Sequence, residues 1–137
     1  MSRRTRLIGL ALGLLLLGIS LAPAASEDQP NLAELAGARC QSARDLFDEA
    51  WLLYTRKGLS ENGVYTLSVR LLTAQVDSAG NAAGRIAAYQ EHLDRMQKLQ
   101  AMMAKVRGLG YSKKFELKEA EYFVHEARYW LAREKAK

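Results

Sequence analysis

From Val64 onward apolar side chains return every three or four residues, through Leu67, Leu71, Ala74, Ile86, Tyr89, Leu93, Met96 and Met103 to Val106. That rhythm belongs to an α-helix whose apolar seam faces a partner, held long enough to look like a coiled coil. A second stripe, Val69, Leu72, Val76, Ala79 and Ala83, runs beside its first half and asks for neighbours on two sides. The spacing predicts a helix over 62–107, about 65 to 70 Å long at 1.5 Å per residue. Its weak point is DSAGNAAG, 77–84, where Gly80, Asn81 and Gly84 each lower helix propensity. Either the helix crosses this stretch, closely packed over small residues, or it breaks in two; the sustained rhythm favours a continuous helix.

Shorter helices are predicted on both sides. Ala43, Leu46, Phe47, Ala50, Leu53 and Tyr54 give a helix over 32–56 with one apolar seam. RKGLSENG then ends it, with Gly58 suited to a left-handed cap and Ser60 or Asn62 able to cap the next helix. RGLGYS repeats that stop and start before a third helix over 113–135, whose seam is Leu117, Ala120, Val124, Ala127 and Leu131. No proline occurs after Pro30, which suits long uninterrupted helices. The expected fold is therefore all-α, a three-helix, coiled-coil-like arrangement with a long central helix and two shorter flanking ones, filling one domain over 32–137.

The N-terminus carries a different signal. Arg3, Arg4 and Arg6 precede a leucine-rich run from Leu7 to Leu21, followed by Ala22-Pro23-Ala24. A basic start, an apolar core and a small-x-small site describe a secretory signal peptide over 1–25, with 26–31 as a polar linker. A retained anchor is the alternative, but the apolar run falls short of the roughly 20 residues that span a bilayer. The expected location is exported, periplasmic or extracellular, with no membrane span left after cleavage. Removing the leader takes away three of 20 basic residues and none of 15 acidic ones, lowering the net charge from +5 to about +2. With it goes the support for a nucleic-acid partner, since no basic stripe interleaved with aromatics remains. The single cysteine, Cys40, rules out an internal disulfide; it reads as a small apolar helix position, or else as one half of an intermolecular bridge.

YTRKGLSENGVYTLSVRLLTA and VRGLGYSKKFELKEAEYFVHEA share a glycine, a serine two residues on, and apolar steps of three and four. They form a weak tandem repeat, one helix-turn-helix unit used twice with the middle helix shared. Through Tyr54, Ser60, Val64, Leu71 and Ala74, and again through Ser112, Leu117, Phe123 and Ala127, the pattern resembles the periplasmic helical hairpins of the TolC family of outer-membrane efflux proteins. Gly58 and Gly110 each stand one residue later than in that pattern. The chain has no alternating run for a transmembrane strand, so the resemblance implies a stand-alone helical piece associated with the cell envelope or with efflux, not a channel.

EHLDRMQKLQAMM, 91–103, gathers one of two histidines and three of four methionines. Tyr89, His92, Met96, Leu99, Met103 and Val106 fall within about 100° of helical arc, which places His92 and Met96 in the buried stripe. A methionine-filled core with one hydrogen-bonded histidine is the simpler reading. The alternative is a soft-metal site of the copper type on His92 and Met96, needing His125 from another helix as a further ligand. Catalysis finds no support: there is no nucleophile elbow, no His-Glu-x-x-His and no phosphate-binding loop. No cofactor is expected. Tyr122, Tyr129 and Trp130 cover more than one helix face, so some of them are expected to be exposed as a protein-binding patch. The resulting expectation is an exported interaction or structural protein that binds a partner or itself, with a metal-responsive periplasmic protein as the alternative.

Overall fold

A capping box opens the first helix: the Asn31 side chain accepts from the Glu34 N–H at 2.9 Å, and the Glu34 carboxylate accepts from the Asn31 N–H at 3.2 Å. In the computed structural model, which describes residues 31–108 and 114–137 apart from the Arg107 side chain, four helices follow one another. They are α1 Leu32–Thr55, α2 Glu61–Ser78, α3 Ala82–Gly108 and α4 Lys114–Lys135. The fold is all-α, as the periodicity predicts. The expected signal peptide and nearly all of the linker lie outside the described residues.

Where the sequence favours one central helix there are two. Ala79 takes an extended conformation with φ −74° and ψ 116°, and Asn81 starts again by accepting the Gly84 N–H at 2.8 Å. A short amide side chain that caps a new helix competes directly with continuing the old one, and Gly80 removes the propensity that would have resisted it. The three-four rhythm conceals the break because the residues on either side, Ser78 and Ala82, are small on both readings. The three-helix arrangement with a shared middle helix is thereby replaced by an up-down-up-down set of four. The two stripes of the expected long helix are the faces that α2 and α3 turn towards each other and towards α1 and α4.

The α1–α2 turn differs in one detail. Lys57, at φ 61°, occupies the left-handed position expected of Gly58. The Gly58 N–H donates to Leu53 O at 2.8 Å and the Lys57 N–H to Tyr54 O at 3.0 Å, the two bonds of a Schellman cap. In that motif the left-handed residue is the first beyond the cap Arg56, and the glycine falls one place too late to supply it. Ser60 then caps α2 by accepting the Gly63 N–H at 3.2 Å.

Backbone contacts join α1 to α2, α2 to α3 and α3 to α4, with a few between α2 and α4. The α2–α3 pair is thus the middle of the structure. Long side chains tie α1 to α3: the Arg95 guanidinium lies 5.4 Å from the centre of the Phe47 ring, Lys98 Nζ lies 4.4 Å from that of Trp51, and Tyr54 Oη donates to Met103 Sδ. Val64, Leu71, Leu93, Met96, Leu99, Phe123, Val124 and Leu131 fill the space between the helices, each buried aliphatic side chain contributing on the order of 1.5–3 kcal/mol. The seam expected on α1 is divided. Phe47 and Ala50 are buried and Ala43 and Tyr54 partly so, but Leu46 and Leu53 are exposed. Cys40 is a half-buried free thiol.

Candidate functional site

The most heavily buried polar group lies at the centre of the α2–α3 interface. On α2, Val64, Ser68, Leu71 and Gln75 step by four, three and four along the inward face, so a hydroxyl and an amide share the buried stripe with two aliphatic side chains. His92 meets them from α3 with none of its surface exposed. Its Nδ1 lies 2.9 Å from Ser68 Oγ, and the same oxygen accepts from Arg95 Nε at 2.7 Å. Arg95 reaches on to Gln75 Oε1 at 3.4 Å, while the Gln75 amide donates to Glu91. One polar strand therefore runs from imidazole to hydroxyl to guanidinium to amide to carboxylate, crossing between α2 and α3 at every step.

Burial and, secondarily, the positive charge of Arg95 push the His92 pKa down from 6.5 to about 3. Burial also pulls Arg95 down to about 10, with Glu91 acting in the opposite sense, and the guanidinium stays charged at neutral pH. The imidazole is accordingly neutral under ordinary conditions. Trp130 of α4 covers it, ring centres 5.6 Å apart and planes 21° from parallel, and Tyr65 stands 6.4 Å away on the other flank. Nε2 of His92 is buried without a hydrogen-bond partner.

Of the candidate metal ligands, His92 and Met96 come together, one turn apart on α3 and both fully buried. His125 does not join them. It is exposed on α4, about 150° around the helix from the centre of the buried face formed by Ala120, Phe123, Val124, Ala127 and Leu131. Among the described residues no group of three or more His, Cys, Asp or Glu side chains is placed to hold a metal ion. Met103 is engaged by Tyr54, and Met102 lines a groove of about 320 Å³ at the end of the helices with Leu59 and Val106.

The aromatic candidates separate into two groups. Tyr122 and Tyr129 are 59% and 62% exposed, and Phe115, which the sequence reading passes over, is 71% exposed. Spaced seven residues apart, the three form one outward stripe along α4, and that heptad spacing was the signal for Phe115. The stripe is braced from within: Tyr122 Oη donates to Glu126 at 3.1 Å, Tyr65 of α2 donates to the same carboxylate, and Arg133 lies over the Tyr129 ring at 5.8 Å. Trp130 belongs to the other group. It is half-buried on His92, and its open edge lines a groove of about 300 Å³ with Val69, Leu72, Val76, Tyr89 and Arg133. The sequence does not point to Ser68 as the partner of His92, or to Arg95 and Gln75 as the next members of the strand. Their signal was the polar residue four positions after Val64 and again after Leu71, but it needs the hairpin to show what it faces.

No helix among the described residues is long and apolar enough to cross a membrane. Comparison with protein-family models, with curated proteins and with solved structures finds no match to this chain.

Proposed function

We propose that this chain is an exported helical interaction protein of the cell envelope, and that the outward stripe of α4 is the surface that meets its partner. The carrying observation is the exposure of Phe115, Tyr122 and Tyr129 at heptad spacing, with the two tyrosines held by Glu126 and Arg133. Large aromatic side chains left in water on a rigid face are what a binding helix offers, and prior restraint lowers the entropy lost on docking. We assign the chain no catalytic role. The resemblance of its loops to TolC-family hairpins directs the search for the partner towards helical envelope proteins of efflux systems.

A photo-crosslinking amino acid at position 122 or 129, introduced into the full chain in its source cells, tests the reading. A discrete adduct with another protein, lost when the second tyrosine is changed to serine, is the expected result. If positions 122 and 129 give no adduct beyond that seen from exposed Lys105, the α4 face is not the working surface.

One observation favours a second reading, a soft-metal binding protein: His92 Nε2 is buried and unpartnered, with the Met96 thioether one turn away on the same helix. The positive Arg95 beside the ring opposes it. Calorimetric titration with Cu(I), beside a His92→Asn variant, separates the two; tight one-to-one binding lost in the variant would favour the metal.

A further inference from the structure

α1 carries a second seam that nothing in its own chain covers among the described residues. Leu32 is 83% exposed, and Leu35, Leu46 and Leu53 are each about half exposed. Arg39, Ser42, Glu49 and Arg56, all exposed, lie between or beyond them. From 32 to 56 these positions step by three and four without a fault, which is the spacing of a coiled-coil contact line. The line runs about 100° around the helix from the inward face of Phe47 and Ala50. Along one side it borders a groove of about 370 Å³ between α1 and α2, floored by Ala43, Val69 and Ala74.

We infer that this seam pairs antiparallel with α1 of a second copy of the same chain. The inference goes beyond the α4 reading and does not depend on it. The occupant follows from the charges on the seam. Antiparallel pairing centred near residue 44 sets Leu35 opposite Leu53 of the second copy, Leu46 opposite Ser42, and Arg39 opposite Glu49, and two-fold symmetry repeats each pair. Leu32 falls opposite the long aliphatic stem of Arg56, which can lie along it with its charge in water. A parallel pair would instead set Arg39 against Arg39 and Glu49 against Glu49. Slipping the antiparallel pair by one heptad sets Leu32 against Glu49 in one direction and Arg39 against Arg56 in the other. Of these arrangements, only the one centred near residue 44 sets Arg39 against Glu49 while still pairing Leu35 with Leu53.

The groove supplies the rest of the surface. A second α1 lying on the seam covers Leu46 and reaches Val69 on α2, so that α1 and α2 of each copy make a four-helix layer between the copies. Arg39 already sits at the end of this groove, 2.5 Å from Asp77. Glu49 of the second copy gives that guanidinium a second carboxylate.

Two measurements on protein purified after expression of the full chain test the pairing. In light scattering after gel filtration the wild type should show twice the monomer mass, and Leu46→Glu should reduce it to the monomer while circular dichroism stays that of the folded protein. A Tyr122→Ser control should remain dimeric, which keeps the α1 and α4 surfaces apart. In a Cys40→Ala background, Leu35→Cys and Leu53→Cys chains should form a disulfide when mixed, but neither should do so alone. Residues 35 and 53 are about 27 Å apart along the axis, and a disulfide needs Cα atoms within about 7 Å. A monomeric wild type at about 0.1 mM, crosslinking of Leu35→Cys to itself, or a dimer abolished by Tyr122→Ser and not by Leu46→Glu would each overturn the proposal.

Discussion

Acid should unfold this protein partly through one residue. His92 is fully buried, and its pKa is held near 3 by burial and by Arg95, against 6.5 for an unperturbed histidine. As pH falls through 6.5 the unfolded chain takes up a proton at this position and the folded chain does not, so stability decreases until the folded pKa is reached. At pH 5 the unfolded ring is 1.5 units below its pKa while the folded ring is still neutral, which amounts to about 2 kcal/mol lost relative to pH 7.5. That value depends almost wholly on the unfolded pKa, because 3 lies far below 5. Glu134 adds to the acid sensitivity at lower pH: hydrogen bonds from Lys137 and Arg85 hold its carboxyl below the usual range, so its contribution is present above that range and lost beneath it. Urea unfolding at pH 7.5 and pH 5.0, followed by far-ultraviolet circular dichroism, should be run on the wild type and on His92→Asn, whose side-chain oxygen can still accept from Ser68. The wild type should lose about 2 kcal/mol more than the variant over this interval. Equal losses in the two proteins would show that the fold accommodates a charged His92, and the account of its burial beside Arg95 would be wrong.

Three further outcomes follow from particular contacts. Ser68→Ala removes a fully buried hydroxyl that bonds both His92 and a charged guanidinium, and should cost about 2 kcal/mol in urea unfolding at neutral pH; a loss near zero would mean that the polar strand is not continuous. Lys57→Gly relieves a left-handed residue at φ 61° and should raise stability by about 0.5–1 kcal/mol, measured the same way, the gain being reduced by whatever the lysine side chain contributes. Gly80→Ala places a methyl group where nothing lies within 4 Å and φ is not in the left-handed range, so thermal unfolding should show a gain of about 0.4–1 kcal/mol from the stiffer unfolded chain. A gain there is compatible with a genuine turn, and only a larger loss would indicate a backbone geometry that requires glycine.

The all-α class, a helix start near residue 32 and the Ser60 cap were legible in sequence because each rests on local chemistry, an apolar period or a capping side chain; the turn near Gly58 was legible in place, but Lys57 and not the glycine takes the left-handed position. The hairpin at 79–81 was not, since a continuous helix and a tight turn over Ser78, Ala79 and Ala82 share the same period and differ only in what the two stripes pack against. The same limit applies to α1. Periodicity groups Leu46 and Leu53 with Phe47 and Ala50 into one face, and only a neighbour on one side decides which half is covered. His92 is readable as a buried histidine, but Ser68 cannot be named as its partner, nor Arg95 as the next link, from a sequence in which α2 and α3 look like one rod.

The polar strand at the centre has a consequence for the surfaces. Between aliphatic faces, α2, α3 and α4 could rotate or slide against one another at small cost, because leucine and methionine repack readily. A fully buried imidazole bonded to Ser68 has few such alternatives, since a turned α2 or a shifted α3 would part the hydroxyl from the ring and break its bond to Arg95. Trp130 then transmits the restriction to α4, because only one rotation of that helix lays its ring on His92. Tyr129 is the adjacent residue, about 100° further round, so fixing Trp130 inward fixes Tyr129 and its heptad companions Tyr122 and Phe115 outward. Arg95 does the same for α1 through the Phe47 ring, which turns the Leu35, Leu46 and Leu53 seam away from the body of the protein. One buried network thus sets the rotation of both helices that present exposed apolar stripes, and a change at Ser68 or His92 that leaves helix content intact should still blur those two surfaces.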